Sequence, residues 1–218
     1  MSRIGNIYLV WRKGRGGRRI PIGEIKKSAT EGVRFSYSIE EVEKAKNEGF
    51  QLFAGFPDIN KEYKENVLEV FGQRIAKSER NDLQEFYKFW NVDVKQKHDT
   101  YYMLAMTQGI LPTDTFEFLT DFNPIKGLVF ISEISGLSTY NISSNTIEIG
   151  DQLTFELEPK NNFDKKAVKL FYNSIQLGYV KVIHSRIFYK SKITPTVKVY
   201  HIEKNGILKR VFISIEVK

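Results

Sequence analysis

Residues 158–168 contain the side chains best suited to chemistry in this sequence: Glu-Pro-Lys-Asn-Asn-Phe-Asp-Lys-Lys-Ala-Val. Pro159 and the two asparagines are typical of a turn, and Asp164 can accept hydrogen bonds from backbone N–H groups of that turn. An extended apolar run then starts at Ala167. The pattern predicts a loop of definite shape that carries an aromatic ring, Phe163, next to a carboxylate. Such a ring can stack on a nucleobase.

A run of cations without acids follows this loop. No Asp or Glu occurs between Lys165 and Ile202, a stretch that carries eight basic residues: Lys165, Lys166, Lys169, Lys181, Arg186, Lys190, Lys192 and Lys198. Residues 121–218 hold 14 basic and 9 acidic side chains, a difference of +5 out of the formal net charge of +7. Because protein surfaces usually mix both signs, we interpret the stretch as a stripe that faces phosphates. The simpler alternative is the solvated face of a short helix.

The composition excludes several classes of site. The chain has no cysteine, so disulfides and thiolate metal sites are impossible, and its 3 histidines are too scattered to predict a zinc site. No apolar run approaches the roughly 20 residues that span a bilayer, and the first residues lack the core of a signal peptide. We therefore expect a cytoplasmic protein without a metal or another cofactor.

The first half of the chain predicts a small antiparallel sheet followed by helices. Alternating apolar residues predict strands around residues 7–12, 19–25 and 33–37. The spacing of Ser38 and Glu41 is that of a capping box, and the helix that it opens should end at Gly49. Helical periodicity predicts three more helices, at about residues 61–71, 79–90 and 100–108.

The periodicity changes from helical to alternating beyond Asp121-Phe122-Asn123-Pro124, which predicts a domain boundary. We assign residues 1–122 to an N-terminal α+β accessory domain and residues 123–218 to a β-barrel. Strands are predicted at residues 127–134, 153–157, 167–172, 176–180, 194–201 and 208–217. Asn205-Gly206 predicts a hairpin turn, and the helical spacing of apolar residues after Val180 predicts one short helix. The predicted fold class is α+β, with an OB-like or SH3-like barrel in the second half.

Two motifs of this half resemble a known family. Asn161–Val168, together with Gly178-Tyr179-Val180-Lys181, resembles the HIRAN domain. This is a small β-rich module with an OB-like barrel, known in eukaryotic fork-remodelling helicases and in stand-alone bacterial proteins. The resemblance covers about residues 123–218. It implies binding of nucleic acid and, in the best-understood members, capture of the 3′ end of single-stranded DNA.

The resemblance also implies roles for single residues. By motif position, Asp164 would accept the terminal hydroxyl, Phe163 would stack on a base, Lys181 would contact a phosphate, and Tyr179 would line the site. The end-binding members place Arg and Tyr after a Gly in the early strand region, where this chain has Gly-Leu-Ser-Thr followed by Tyr140. Tyr140 stands in part for the missing ring, so this departure bears on 3′-end specificity and not on binding in general. The full predicted nucleic-acid-binding set is Phe163, Asp164, Tyr179, Lys181, Tyr140, Lys165, Arg186 and Lys190.

The first half is similar, on fewer residues, to the N-terminal domain of HipA-like kinases. The shared features are a strand ending in Val10-Trp11, an extended stretch at Val33–Tyr37, the turn Gly55-Phe56-Pro57, and Arg80 at the start of a helix. In those kinases this region is an accessory, and no kinase catalytic domain follows here. The resemblance implies a docking surface and not phosphoryl transfer.

Several of these residues also have a purely structural interpretation. Phe163 could plug the end of the barrel, and Asp164 could cap backbone N–H groups, with or without a ligand. The Arg12–Arg19 cluster lacks the Gly-Lys-Ser/Thr of a P-loop and is interpreted as a basic hairpin tip. His184, beside Ser185, has no nucleophile elbow or spaced Asp and is interpreted as a polar residue of the short helix.

We interpret the chain as a non-catalytic protein whose barrel binds nucleic acid, either single-stranded DNA or DNA ends. The N-terminal domain would then be a surface for a protein partner or for a homodimer. Two alternatives remain open from the sequence. One is a protein-interaction module in which Phe163 and Tyr179 anchor a partner. The other is a cryptic hydrolase such as a nuclease.

Overall fold

The alternating apolar residues of the first half form a sheet, as their period requires. In the computed structural model, strand β1 is Ile4–Trp11, β2 is Ile20–Ser28 and β3 is Gly32–Tyr37. A fourth strand, β4, is Phe116–Phe122, and the sheet order is β3-β2-β1-β4. The structure describes residues 3–14, 16–75, 83–190, 192 and 194–218. The chain divides into two compact units, Ser2–Asp121 and Phe122–Lys218.

Strand β4 was not predicted from the sequence. It follows the last predicted helix and runs up to the predicted boundary, and most of its residues are buried. Phe118 is fully buried in the same core as Phe35 and Phe71, and its ring centroid lies 4.9 Å from that of Phe71. A strand buried on both faces alternates less clearly than one with a solvated face, which hides it from a periodicity argument.

The helices of the first unit are α1, Ile39–Asn47; α2, Val67–Gly72; α3, Leu83–Phe89; and α4, Thr100–Thr107. Helix α1 begins after Ser38 as predicted, but the Ser38 side chain makes no capping hydrogen bond. Glu41 instead pairs with Lys44, with 2.7 Å between Oε1 and Nζ. The capping box is therefore wrong, although the start of the helix is right. The predicted helix end is also right, because Gly49 takes the left-handed φ of +99°.

The helix predicted at residues 61–71 is wrong in its first half. Tyr63 exchanges two backbone hydrogen bonds of 2.8 Å with Phe35, so this stretch extends the sheet by one bridge. Asn66 has a left-handed backbone, and α2 starts only after it. Residues 76–82, which include Arg80 and the start of the helix predicted at 79–90, lie outside the described residues, as does Arg15. None of the helices in the described part of the chain is both long and apolar enough to cross a lipid bilayer.

The second unit is a closed antiparallel barrel of six strands. The strands are β5, Leu128–Ser135; β6, Gln152–Glu158; β7, Ala167–Tyr172; β8, Ile175–Val180; β9, Thr196–Asn205; and β10, Ile207–Val217. They close in the order β10-β5-β8-β7-β6-β9. The predicted short helix is present as α5, Arg186–Lys190. The predicted fold class is confirmed: an α+β chain with a small antiparallel sheet, helices and a β-barrel.

The barrel closes because each strand has one apolar face to bury. Leu170, Val180, Val211, Ile213 and Ile215 are at most 3% exposed, and they come from three of the strands. The hairpin predicted at Asn205-Gly206 joins β9 to β10, with only Gly206 at positive φ, +68°. The outward residues of β6, β7 and β8 are left to form a surface.

Candidate nucleic-acid interface

The loop after β6 has a fixed shape, and Asn161 sets it. The Oδ1 of Asn161 accepts hydrogen bonds from the backbone N–H of Phe163 at 2.9 Å and of Asp164 at 3.1 Å. The carboxylate of Asp164 accepts one from the N–H of Lys166 at 2.8 Å. The predicted turn role of Asp164 is therefore present, and Asn161 shares it. Such side-chain bonds replace a strand ladder in a turn.

The ring of Phe163 points into solvent. It is 75% exposed, the largest exposed fraction of the large apolar side chains in the described part of the chain. The interpretation of Phe163 as a plug for the barrel end is therefore wrong. An aromatic ring exposed to this extent on a fixed loop can stack on a planar partner.

Glu158, the last residue of β6, ties this loop to the barrel. Its Oε2 accepts a hydrogen bond of 2.7 Å from Nδ2 of Asn161, and its Oε1 lies 2.7 Å from Nζ of Lys169 on β7. The hydrogen bonds from Lys169 and Asn161 hold the pKa of Glu158 below its usual value, and the bond to Glu158 raises the pKa of Lys169. Sequence analysis assigned Glu158 no role.

Strand register explains why these side chains share one face. Glu156 on β6 lies opposite Lys169, Lys169 lies opposite Tyr179, and Tyr179 lies opposite Ser135 on β5. These four residues form a row across four neighbouring strands. Because side chains alternate along each strand, the row faces outward while its neighbours fill the barrel.

Tyr140 belongs to the same surface, as the sequence predicted. Its hydroxyl accepts a hydrogen bond of 2.7 Å from Nε2 of Gln176 on β8. Partial burial, together with Tyr179, raises the pKa of Tyr140. The side chain is still 39% exposed. The hydrogen bond from Gln176 thus fixes Tyr140 beside β8.

Gly178 allows β8 to approach β5 at this point. A Cβ at this position would lie 2.3 Å from the carbonyl oxygen of Ser135, and φ is +147°. Only glycine fits both conditions. The Gly-Tyr pair of the motif therefore has a structural reason for its first residue and a surface position for its second.

Lys181 was expected to contact a phosphate, and its position contradicts that role. The side chain is fully buried, with Nζ 3.5 Å from Oε2 of Glu133 on β5. Glu133 also pairs with Arg210, at 2.8 Å. The chain leaves β8 at Val180 and turns inward, so Lys181 enters the barrel end instead of the outer surface.

The other predicted cations divide into two groups. Lys165, Lys166, Lys190, Lys192 and Lys198 are exposed, whereas Arg186 and Lys169 are half-buried. Lys198 on β9 lies opposite Gln152, at the other end of β6 from Glu158 and about 20 Å away at the spacing of strand residues. The stretch that lacks acids in the sequence therefore meets carboxylates from other strands in space. Lys165 and Lys166 are exposed cations of the loop itself, as is Lys160.

Tyr189 is a residue of this region that sequence analysis missed. Its hydroxyl donates a hydrogen bond of 2.9 Å to the carbonyl oxygen of Ala167, which fixes α5 beside the loop. Burial raises its pKa. An aromatic residue directly before Lys190 in a short basic helix was the available signal. Lys190 and the loop therefore lie on the same side of the barrel.

His184 and Ser185 are buried in the barrel and not on a helix surface, which corrects the prediction. Nδ1 of His184 lies 2.9 Å from Oγ of Ser132, and the ring packs 5.1 Å from that of Phe130. Neither side chain is more than 1% exposed. Within the described ranges, no cluster of three or more His, Asp or Glu side chains has the arrangement of a metal site.

Comparison with known proteins finds a similar solved structure, the crystal structure of the HIRAN domain of human HLTF. It aligns with 40% of this chain and 74% of its own, at 17% identity and a TM-score of 0.32. No family model and no curated protein matches the chain. A likeness of this size leaves the function to be inferred from the residues of the chain itself.

Proposed function

We propose that residues 122–218 bind single-stranded nucleic acid, namely single-stranded DNA or DNA ends. Binding would not be accompanied by catalysis. The binding surface would be the loop 159–166 with the outward face of β7 and β8. The observation that carries the proposal is the ring of Phe163, 75% exposed on a loop whose shape is already fixed by Asn161. Stacking of one base on such a ring contributes about 1–3 kcal/mol.

Exposed cations beside the ring supply the second component. Lys165 and Lys166 follow Phe163 on the loop. Lys190 is the last residue of α5, and the hydrogen bond from Tyr189 to Ala167 holds this helix beside the loop. Each phosphate that such a side chain neutralises releases counterions, which makes affinity fall with salt. The resemblance of Asn161–Val168 to the HIRAN motif supports the same function, with the aromatic–Asp pair at Phe163 and Asp164.

The direct test is fluorescence anisotropy with a labelled single-stranded DNA oligonucleotide over a salt series. The double variant Lys165→Glu/Lys166→Glu should weaken binding at least tenfold and lower the slope of log K against log salt by about 1.4, as two lost phosphate contacts require. Lys198→Glu/Lys209→Glu is the matched control, because it reverses two exposed cations on β9 and β10. Binding that is insensitive to salt, or equal losses in both variants, would contradict the proposal.

Three further ligands in the same assay define the specificity of binding. Oligonucleotides that end in a 3′-hydroxyl or in a 3′-phosphate test whether the protein captures a 3′ end. An RNA strand of the same sequence tests whether it prefers one sugar. Incubation with Mg²⁺ tests the non-catalytic part of the proposal. Degradation of the oligonucleotide that depends on Mg²⁺ and is lost in Asp164→Asn would show that the protein is a nuclease and would contradict non-catalytic binding.

Docking of a protein is the second candidate, favoured by other exposed apolar side chains of the barrel. Ile149 is 66% exposed, Ile175 is 48% and Leu157 is 45%. An exposed apolar side chain can anchor a protein partner where it belongs to a contiguous patch. A pull-down that recovers one protein in stoichiometric amount, with no nucleic acid retained, would favour this function. The first unit, Ser2–Asp121, is proposed as the surface for a partner or a second copy.

A further inference from the structure

We propose that Glu158 is the positioning residue of this surface, because its carboxylate binds both the loop that displays Phe163 and Lys169 on β7. This inference rests on the proposed function and deepens it. It explains how the site is ordered before a ligand arrives.

The first observation is that one carboxylate bridges three elements. Glu158 lies on β6, and its two oxygens bind Asn161 in the loop and Lys169 on β7, each at 2.7 Å. A charged acceptor makes stronger and more directional hydrogen bonds than a neutral one. The carboxylate therefore holds the loop and two strands in one relative arrangement.

The second observation concerns the direction of the Asn161 amide. Its nitrogen donates to Glu158, which leaves its oxygen facing the N–H groups of Phe163 and Asp164. The reversed amide would place its oxygen against a carboxylate and its nitrogen against two donors. Glu158 thus decides which way Asn161 points, and Asn161 decides the shape of the loop.

The third observation is that Asp164 continues this arrangement along the loop. Its carboxylate accepts a hydrogen bond of 2.8 Å from the backbone N–H of Lys166. The loop is thereby ordered from Asn161 to Lys166. Preorganisation of this kind improves affinity by removing the entropy cost of ordering the site on binding.

The negative charge of Glu158, taken alone, predicts the opposite effect on binding. A carboxylate repels a polyanion and also neutralises Lys169, so on electrostatics its removal would tighten binding. If Glu158 positions the loop, its removal should weaken binding. An electrostatic role and a positioning role therefore predict opposite changes in affinity for the oligonucleotide.

The experiment compares Glu158→Gln with Glu156→Gln. Both variants remove one negative charge from β6, and Glu156 faces outward two residues away, next to Lys169 in the register. Within the described residues, Glu156 makes no hydrogen bond through its side chain. We expect Glu156→Gln to bind a single-stranded DNA oligonucleotide as tightly as the wild type or slightly more tightly. We expect Glu158→Gln to bind about tenfold more weakly, the effect of losing one charge-assisted hydrogen bond.

A second measurement needs no ligand. Amide hydrogen exchange at Phe163 and Asp164 should accelerate in Glu158→Gln and in Asn161→Ala, and should stay unchanged in Glu156→Gln. Affinity of Glu158→Gln equal to or above that of Glu156→Gln, or unaltered exchange at both amides, would overturn the inference. If the wild type binds no oligonucleotide, the proposed function fails, while the exchange data still decide whether Glu158 positions the loop.

Discussion

Nζ of Lys181 lies 3.5 Å from Oε2 of Glu133, and neither side chain is more than 8% exposed. The pair joins the residue after β8 to β5, the strand beside it in the barrel. A cation in this position stabilises the fold and does not face a ligand. The charge available to a polyanion therefore comes from the exposed lysines of the loop and of α5.

Replacement of Lys181 should affect stability and not binding. We expect Lys181→Ala to lower the free energy of unfolding by about 3 kcal/mol, because it empties buried space and removes a partner of Glu133. Lys181→Met should cost less, since it keeps the volume and Arg210 still pairs with Glu133. Urea denaturation measures both losses. A tenfold fall in oligonucleotide affinity for a folded Lys181→Met would show that Lys181 reaches the ligand after all.

Phe163→Ala should weaken binding and leave stability almost unchanged. Because the ring is 75% exposed, its removal should change the free energy of unfolding by less than about 0.5 kcal/mol. Affinity for single-stranded DNA should fall about tenfold, the effect of losing one stacked base. Ile149→Ala is the control, since it removes another exposed apolar side chain, at 66%. Equal affinity of the two variants would exclude stacking on Phe163.

Asp114 should make stability of the first unit depend on pH. Burial acts to raise the pKa of Asp114, but its two hydrogen bonds from Arg74, at 2.6 and 2.8 Å, together with the N–H of Phe116 and the charge of Arg74, lower it below its ordinary value. A lowered folded pKa means that this stability is complete above the unfolded pKa and is lost as pH falls through the folded value.

The variant Asp114→Asn tests this dependence. At neutral pH it should be less stable by about 2 kcal/mol, since it weakens charge-assisted bonds to a buried guanidinium. The difference from the wild type should shrink below about pH 4, as the wild type takes up its proton. Thermal melts across this range provide the measurement. A difference that stays constant with pH would mean that Asp114 gains nothing from being charged.

Ser185→Ala should stabilise the barrel. The Oγ of Ser185 is fully buried and has no hydrogen-bond partner among the described residues. A buried hydroxyl without a partner costs about 1–3 kcal/mol, so its deletion should raise the free energy of unfolding by about 1 kcal/mol. Thr107→Ala is the contrasting control, because its hydroxyl donates 2.7 Å to the carbonyl of Met103 and its loss should not stabilise. A less stable Ser185→Ala protein would indicate that a water binds this hydroxyl.

Gly178→Ala should disrupt the contact of β8 with β5. The new Cβ would meet the carbonyl oxygen of Ser135 at 2.3 Å, so the strands must separate. Gly150→Ala separates this clash from the cost of the backbone, since Gly150 has φ of +97° and open space around it. We expect a loss of about 1 kcal/mol for Gly150→Ala and at least twice that for Gly178→Ala. Similar losses would show that the close approach is unimportant.

The barrel strands could be predicted because alternation and turn residues are properties of short stretches of sequence. Strand Ala167–Tyr172 has the bounds that alternation predicted, and the other barrel strands agree to within a few residues. The turn at Gly206 and the loop at Phe163 follow from residues whose backbone preferences are strong. Strand β4 was missed because it is buried on both faces, and the helix at residues 61–71 was overextended because Tyr63 pairs with Phe35 across the sheet.

By itself, the sequence determined that a fixed loop carries an aromatic ring and a carboxylate, and that basic residues follow it. Only the tertiary structure decided which of those cations face solvent. Glu133 and Glu158 precede the acid-free run and lie on other strands, but the pairing of β5 with β8 and of β6 with β7 brings them within reach of Lys181 and Lys169, whose charges they neutralise. Charge pairing depends on distance in space, and the pairing of strands sets that distance.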